Sequence, residues 1–217
     1  MKESKENVLV AGANGTTGRK IIDLLNQSQY FNPVAMVRRE EQQQYFKDRN
    51  VETVLGDLEK DLSHVVKGID KVVFAAGSGG NTPAEKTTQV DQEGAKKLID
   101  VAKKANVKKF VMLSAIHADK PESNENLQHY LEAKKNADEH LKSSGLTYAI
   151  VRPGTLTNDA GTGKIELENR LDHIGEISRD DVAKTIVTAL NDEVAQNATF
   201  EILKGDTHIE EAVKKVV

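Results

Sequence analysis

The sequence has no cysteine among its 217 residues. Disulfides, thiol catalysis and cysteine-ligated metal centres are therefore excluded. It also lacks any apolar run near the roughly 20 residues that a membrane span needs. Met1 to Asn7 is polar and has no apolar core, so it does not read as a secretory signal, and a cytoplasmic protein is expected. Neither sign of charge dominates: 30 basic side chains stand against 34 acidic ones, for a net charge of −4. That balance gives no reason to expect a nucleic-acid or membrane partner. Internal repeats and low-complexity linkers are missing as well. The six histidines, at 64, 117, 129, 140, 173 and 208, show no metal-ligand spacing, so no metal site is expected. What remains is a length that suits one domain, residues 1–217, with a sizeable core.

The stretch that organises the chain lies near its start. Val8 to Ala11 is a short apolar run of strand length, and Gly12, Gly15 and Gly18 follow at a spacing of three. Ile21, Ile22, Leu24 and Leu25 then mark the buried face of a helix. Each glycine has a physical task. Gly12 lets the chain turn off the strand, Gly15 lets backbone approach a phosphate, and Gly18 lets the helix pack against the sheet. Free N–H groups at the helix start, around Asn14, Thr16 and Thr17, then face the pyrophosphate of a dinucleotide.

Strand-like and helical patterns alternate along the rest of the chain. Strands are expected at 33–37, 51–55, 71–75, 109–113, 147–151 and 198–203. Helices are expected at about 87–105, 126–143 and 179–190, the last capped by Ser178, with a final helix at the C-terminus. This alternation implies an α/β fold, a doubly wound and mostly parallel sheet of Rossmann type with helices on both faces. Its ligand belongs at the C-terminal strand ends, where strand order reverses.

Those strand ends carry chemistry. Strand two ends in Arg38 and Arg39, where an acidic residue would hold a ribose 2′-hydroxyl. Guanidinium groups match a phosphate instead, which favours NADP (NADPH) over NAD; the alternative is a pair of solvated arginines. After strand three, Asp57 either accepts from the adenine amino group, with Leu58 beside the ring, or only caps a turn. Ala75, Ala76 and Gly77 let backbone run under the middle of the cofactor, and residues 78–83 form a flexible loop able to act as a lid. Ser114 closes strand five. Tyr130 and Lys134 sit four apart on the next helix and so share a face. There the lysine can lower the tyrosine's pKa and bind the nicotinamide ribose, Tyr130 can pass a proton, and Ser114 can hold a substrate oxygen. The alternative is a surface tyrosine over a lysine stem. Pro153, Gly154 and Thr155 after strand six suit a chain turning over the nicotinamide.

Together these residues resemble the atypical branch of the short-chain dehydrogenase/reductases, including its epimerase/dehydratase-like and NmrA-like small members. The resemblance covers nearly the whole chain. It rests on Gly12 to Gly18, on Val90, Asp91 and Gly94, on Lys108 to Ser114, on Tyr130 to Lys134, on Val151 to Gly154 and on Ile177 to Ala183. It implies an open Rossmann fold with bound NADP, and Ser114, Tyr130 and Lys134 as catalytic residues. The expected function is hydride transfer between nicotinamide and a small molecule, a carbonyl, quinone or flavin, in a monomer or homodimer. Two alternatives stay open: an NADP(H)-binding redox sensor without turnover, and an epimerase/dehydratase-like enzyme on a small substrate. Extended sugar-nucleotide epimerases carry a larger C-terminal substrate domain. Here the substrate-side segment can only be about residues 156–177, with Gly161, Thr162 and Gly163 at a loop tip.

Overall fold

The structure, a computed structural model, describes residues 5–79 and 82–216. Strand β1 (Glu6–Ala11) runs into helix α1 (Thr16–Gln27), and β2 (Phe31–Val37) leads to the short helix α2 (Gln43–Lys47). Strands β3 (Glu52–Leu55) and β4 (Lys71–Phe74) follow. A continuous helical rod then combines α3 (Ala84–Thr87), a π-helical stretch (Thr88–Gly94) and α4 (Ala95–Lys104). Next come β5 (Lys109–Leu113), α5 (Gln128–Ser143) and β6 (Tyr148–Pro153). The last part holds β7 (Thr155–Thr157), β8 (Lys164–Glu168), β9 (Glu176–Ser178), α6 (Arg179–Ala189), β10 (Ala198–Lys204), β11 (Thr207–His208) and α7 (Ile209–Lys214).

Nine strands form one sheet in the order β11-β8-β10-β6-β5-β4-β1-β2-β3. From β3 through β10 every pairing is parallel; β8 and β11 add an antiparallel edge. Side chains alternate across the sheet as strand geometry demands. Val8 and Val10 of β1 enter one apolar layer with Ile21 and Leu25 of α1 and Ile186 of α6. Leu9 and Ala11 enter the other, with Leu98 of α4 and Leu141 of α5. The sheet is thus covered on both faces, which is the Rossmann arrangement.

The expected strands and helices appear at the expected places, with ends shifted by a few residues. Two features carried no expectation. Between β3 and β4 the chain runs in turns that carry Leu62, Val65 and Val66 into the core. Residues 155–178 form β7, β8 and β9, too short for a periodic signal, and β7 pairs with β9 as a separate two-stranded sheet. The tip Gly161–Gly163 is pinned to α6: its three amides donate to the carboxylates of Asp180 and Asp181. Ser178 caps α6 by accepting from the Asp181 amide. The expected loop at residues 78–83 lies partly outside the described residues, at 80 and 81.

Candidate functional site

Strand order reverses beside β1, between β4 and β2, and a cleft opens there over the C-terminal strand ends. The glycine turn builds its floor. Gly12 has φ +84°, and a Cβ there would stand 2.5 Å from the Ala76 amide nitrogen, so only glycine fits. A Cβ on Gly18 would stand 2.1 Å from the Gly12 carbonyl oxygen, which ties close helix packing to this residue. Gly15 is different: its Cβ would meet only the Gly12 oxygen, at 3.3 Å, and the position is exposed. The Gly15 amide closes the turn onto the Gly12 carbonyl at 2.9 Å, and the first bond of α1 runs from Arg19 to Gly15. No side chain caps this helix start, so the amides of Thr16, Thr17 and Gly18 lack side-chain acceptors. An uncapped helix N-terminus behind a glycine that keeps a ligand's path clear fits a pyrophosphate.

On one side of that floor the cleft holds about 420 Å³ and is lined by Asn14, Arg38, Gln42, Asp57 and Leu58. Arg38 lies on this wall, whereas Arg39 is exposed and does not line the cleft. The Gln42 side chain accepts from both arginine amides, at 3.0 and 3.1 Å, which fixes the exit of β2. Asp57 lines the cleft and at the same time accepts from the Glu59 amide at 3.1 Å, so both of its expected roles are compatible.

The other side holds about 670 Å³ and brings together Thr16, Thr17, Ala75, Ala76, Gly77, Ser114, Tyr130 and Lys134. The lysine is buried. Its Nζ lies 3.0 Å from Asp91 Oδ1, 3.5 Å from the Leu113 carbonyl and 5.6 Å from the Tyr130 ring centre. Burial works against its charge, but the attraction of Tyr130, Asp91 and Asp138 outweighs that and holds the ammonium well above the usual lysine range. Asp91 comes from the π-helical stretch and also accepts from the Ser78 amide at 2.8 Å. π-Helical turns of this kind recur at functional sites.

Ser114 is backed by a second buried acid. Its hydroxyl donates to Asp138 Oδ2 at 2.9 Å, and the same oxygen accepts from Arg152 Nε at 3.0 Å and Nη2 at 2.9 Å. Burial raises the Asp138 carboxyl, against the pull of Arg152, Ser114 and Lys134. Tyr130, Lys134 and Asp138 follow at intervals of four on α5, so one helix face supplies all three.

Gly18 and the Pro153–Thr155 segment do not line the cleft. Backbone at Gly154 and Thr155 bonds to Ile202 and Gly175, and a Cβ on Gly154 would strike Leu203 and Gly175. Leu127, His129, Leu156 and Arg179 line the cleft as well. The supporting group Asp138 has a legible signal: it follows Lys134 by four residues. Among the described residues no group of three or more His, Asp or Glu side chains could hold a metal ion, and no helix is long and apolar enough to cross a membrane.

Fold and cleft together define an NAD(P)-binding Rossmann protein. The chain belongs to the NAD(P)H-binding family whose sequence profile matches residues 12–193. It is 43% identical over 213 residues to an uncharacterized sugar epimerase of Bacillus subtilis, covering 96% of this chain and 99% of that one. It is 29% identical over 259 residues to the sanguinarine reductase of Eschscholzia californica, covering 97% and 93%. A solved structure from Bacillus halodurans, provisionally named an NAD-dependent epimerase/dehydratase, superimposes with a TM-score of 0.94 at 42% identity, covering 97% of this chain and all of that one. Epimerases and reductases are both among the family's named members.

Proposed function

We propose that this chain is an NADP-dependent oxidoreductase that moves a hydride between nicotinamide and a small molecule. One observation carries the reading: Ser114, Tyr130 and Lys134 meet in the cleft whose floor is the glycine turn. Arg38 on the opposite wall supports the phosphate-bearing cofactor, because a guanidinium matches phosphate and an acid would repel it. The likeness to a named reductase over nearly the full chain supports the reaction class.

Nicotinamide, when bound, supplies or accepts the hydride. This chain's own groups then handle the proton and the positions. Gly15 and the first amides of α1 would hold the pyrophosphate, and Arg38 would take the 2′-phosphate. Tyr130 gives its hydroxyl proton to a carbonyl oxygen as the carbon takes the hydride, and takes a proton back in the reverse direction. The Lys134 ammonium, fixed by Asp91, stabilises the phenolate left behind and presents its charge to the nicotinamide ribose.

A second reading within this class has its own observation. While Ser114 donates to Asp138, it has no proton for a substrate carbonyl, so of the two hydroxyls Tyr130 is the one with a proton to give. A quinone or flavin needs less, because its electron-poor ring takes a hydride directly and solvent supplies the proton.

The test is mass spectrometry of the protein as purified for retained dinucleotide, followed by NADPH oxidation with aldehydes, quinones and flavins. Oxidation with any of these classes supports the reading. Cofactor binding with no oxidation across the panel would overturn it in favour of a redox sensor.

A further inference from the structure

We infer that Arg19 is a further cofactor-selecting residue, which acts by fixing the side-chain amide of Asn14 toward the 2′-phosphate of NADP. The inference rests on the NADP reading and adds a residue to it. Arg19 is the first residue after Gly18, on the first turn of α1. Its Nη2 donates to Asn14 Oδ1 at 2.7 Å. A guanidinium has only donors, so this contact settles which way the Asn14 amide points. Its oxygen is turned to Arg19, and its NH2 is left free as a donor. Asn14 itself lines the adenosine side of the cleft together with Arg38.

Arg19 is held where it can do this. Its guanidinium lies 4.0 Å over the Tyr45 ring centre, and Arg49 lies 3.7 Å from the same ring. Stacking of this kind suits the flat, weakly hydrated guanidinium. Arg19 Nε is buried without a hydrogen-bond partner. Among the described residues, the arginine ion pairs involve Arg152 and Arg170. Arg19 and Arg49, which flank the Tyr45 ring, and Arg38 on the cleft wall are not among them. Guanidinium groups without a paired carboxylate favour an anion beside them, even with Asp57 and Glu59 on the same wall. Arg38 and the Asn14 amide give it two directed donors, and the 2′-phosphate is the group that distinguishes NADP from NAD at this end.

The experiment measures NADPH and NADH dissociation constants by titration calorimetry for the wild type, Arg19→Met and Arg19→Lys. Arg19→Met should weaken NADPH about tenfold and leave NADH within about threefold, with Arg19→Lys in between. Equal loss for both cofactors would overturn the inference, because it would place the pair on the shared pyrophosphate. No loss for either would overturn it too. A wild type that binds both cofactors equally would instead sink the NADP reading beneath it. If Arg19→Met fails to fold, Asn14→Ala reads the same contact, with the same selective loss of NADPH expected and an unchanged ratio counting against it.

Discussion

Lys134 Nζ lies 3.0 Å from Asp91 Oδ1, and both side chains are buried. A buried ion pair is costly to break from one side, because the remaining charge stays desolvated and unmatched. Asp91→Asn should therefore lower stability by ~3 kcal/mol, less whatever the amide oxygen recovers as an acceptor. Adding Lys134→Met should return part of that loss, since it removes the stranded ammonium. Urea unfolding of the two single variants and the double variant measures this coupling. Simple additivity would show that the pair does not act as a unit.

Tyr130→Phe keeps the ring and removes only the hydroxyl. NADPH should still bind, because the proposed seat of its phosphates, the glycine turn, is untouched. Turnover of a carbonyl substrate should fall by about 10²–10⁴, the usual share of general acid–base catalysis. Turnover near the wild-type value with a quinone or flavin would assign the chemistry to direct hydride transfer and remove Tyr130 from the catalytic residues.

The glycines should separate by function. A Cβ at Gly18 would run into the Gly12 carbonyl oxygen and the Ala13 Cα, at 2.1 and 2.9 Å. Gly18→Ala should cost about 1–3 kcal/mol or more, because backbone must move to admit it. At Gly15 the backbone has φ −72° and ψ 164°, which alanine adopts freely, and its Cβ needs only a slight shift of Gly12. Gly15→Ala should unfold near the wild-type temperature and still bind both NADPH and NADH about tenfold more weakly, a loss of ~1.4 kcal/mol. Thermal melts and cofactor titrations check both. Loss of stability at Gly15 without loss of binding would take it out of the phosphate cradle.

Lys109 gives the protein a pH response away from the cleft. Its buried Nζ donates to the carbonyls of Asn191 at 2.7 Å and Val194 at 2.6 Å. Burial pushes its ammonium down to about 8, with Asp192 opposing and Lys71 reinforcing. In the unfolded chain a lysine titrates at about 10.4. Between those values the unfolded state binds more protons than the folded state, so stability rises with pH from about 8 to about 10, by at most ~1.4 kcal/mol per unit. Below pH 8 this contribution is constant. Unfolding free energies of wild type and Lys109→Met across that range isolate the effect, which should appear as a growing advantage of the wild type. A constant difference would mean that Lys109 stays charged in both states.

Most of the fold was legible because its signals are local. The run Val8 to Ala11, the three glycines and the face of Ile21, Ile22 and Leu25 specify strand, turn and helix within a few residues. Tyr130 and Lys134 could be paired because they share a helix face. Residues 155–178 were not legible: β7 and β9 have three residues each, and their pairing depends on contacts made far along the chain. The Asp91 contact to Lys134 depends on a π-helical turn, which apolar periodicity does not reveal. Ser114's hydrogen bond to Asp138 was hidden for a related reason. It joins residues 24 apart, and neither lies near the other in the sequence pattern.

Titration of the wild type and Arg38→Ala with NADPH and NADH tests the central claim most directly. Arg38 lines the cleft wall proposed for the adenosine end, while Arg39 is not part of that lining. The wild type should bind NADPH more tightly than NADH. Arg38→Ala should weaken NADPH by about tenfold to a hundredfold, the worth of one charge-assisted contact, and leave NADH nearly unchanged. Arg39→Ala should weaken it less. Failure of the wild type to bind either cofactor at ~1 mM, or equal weakening of both by Arg38→Ala, would contradict the account.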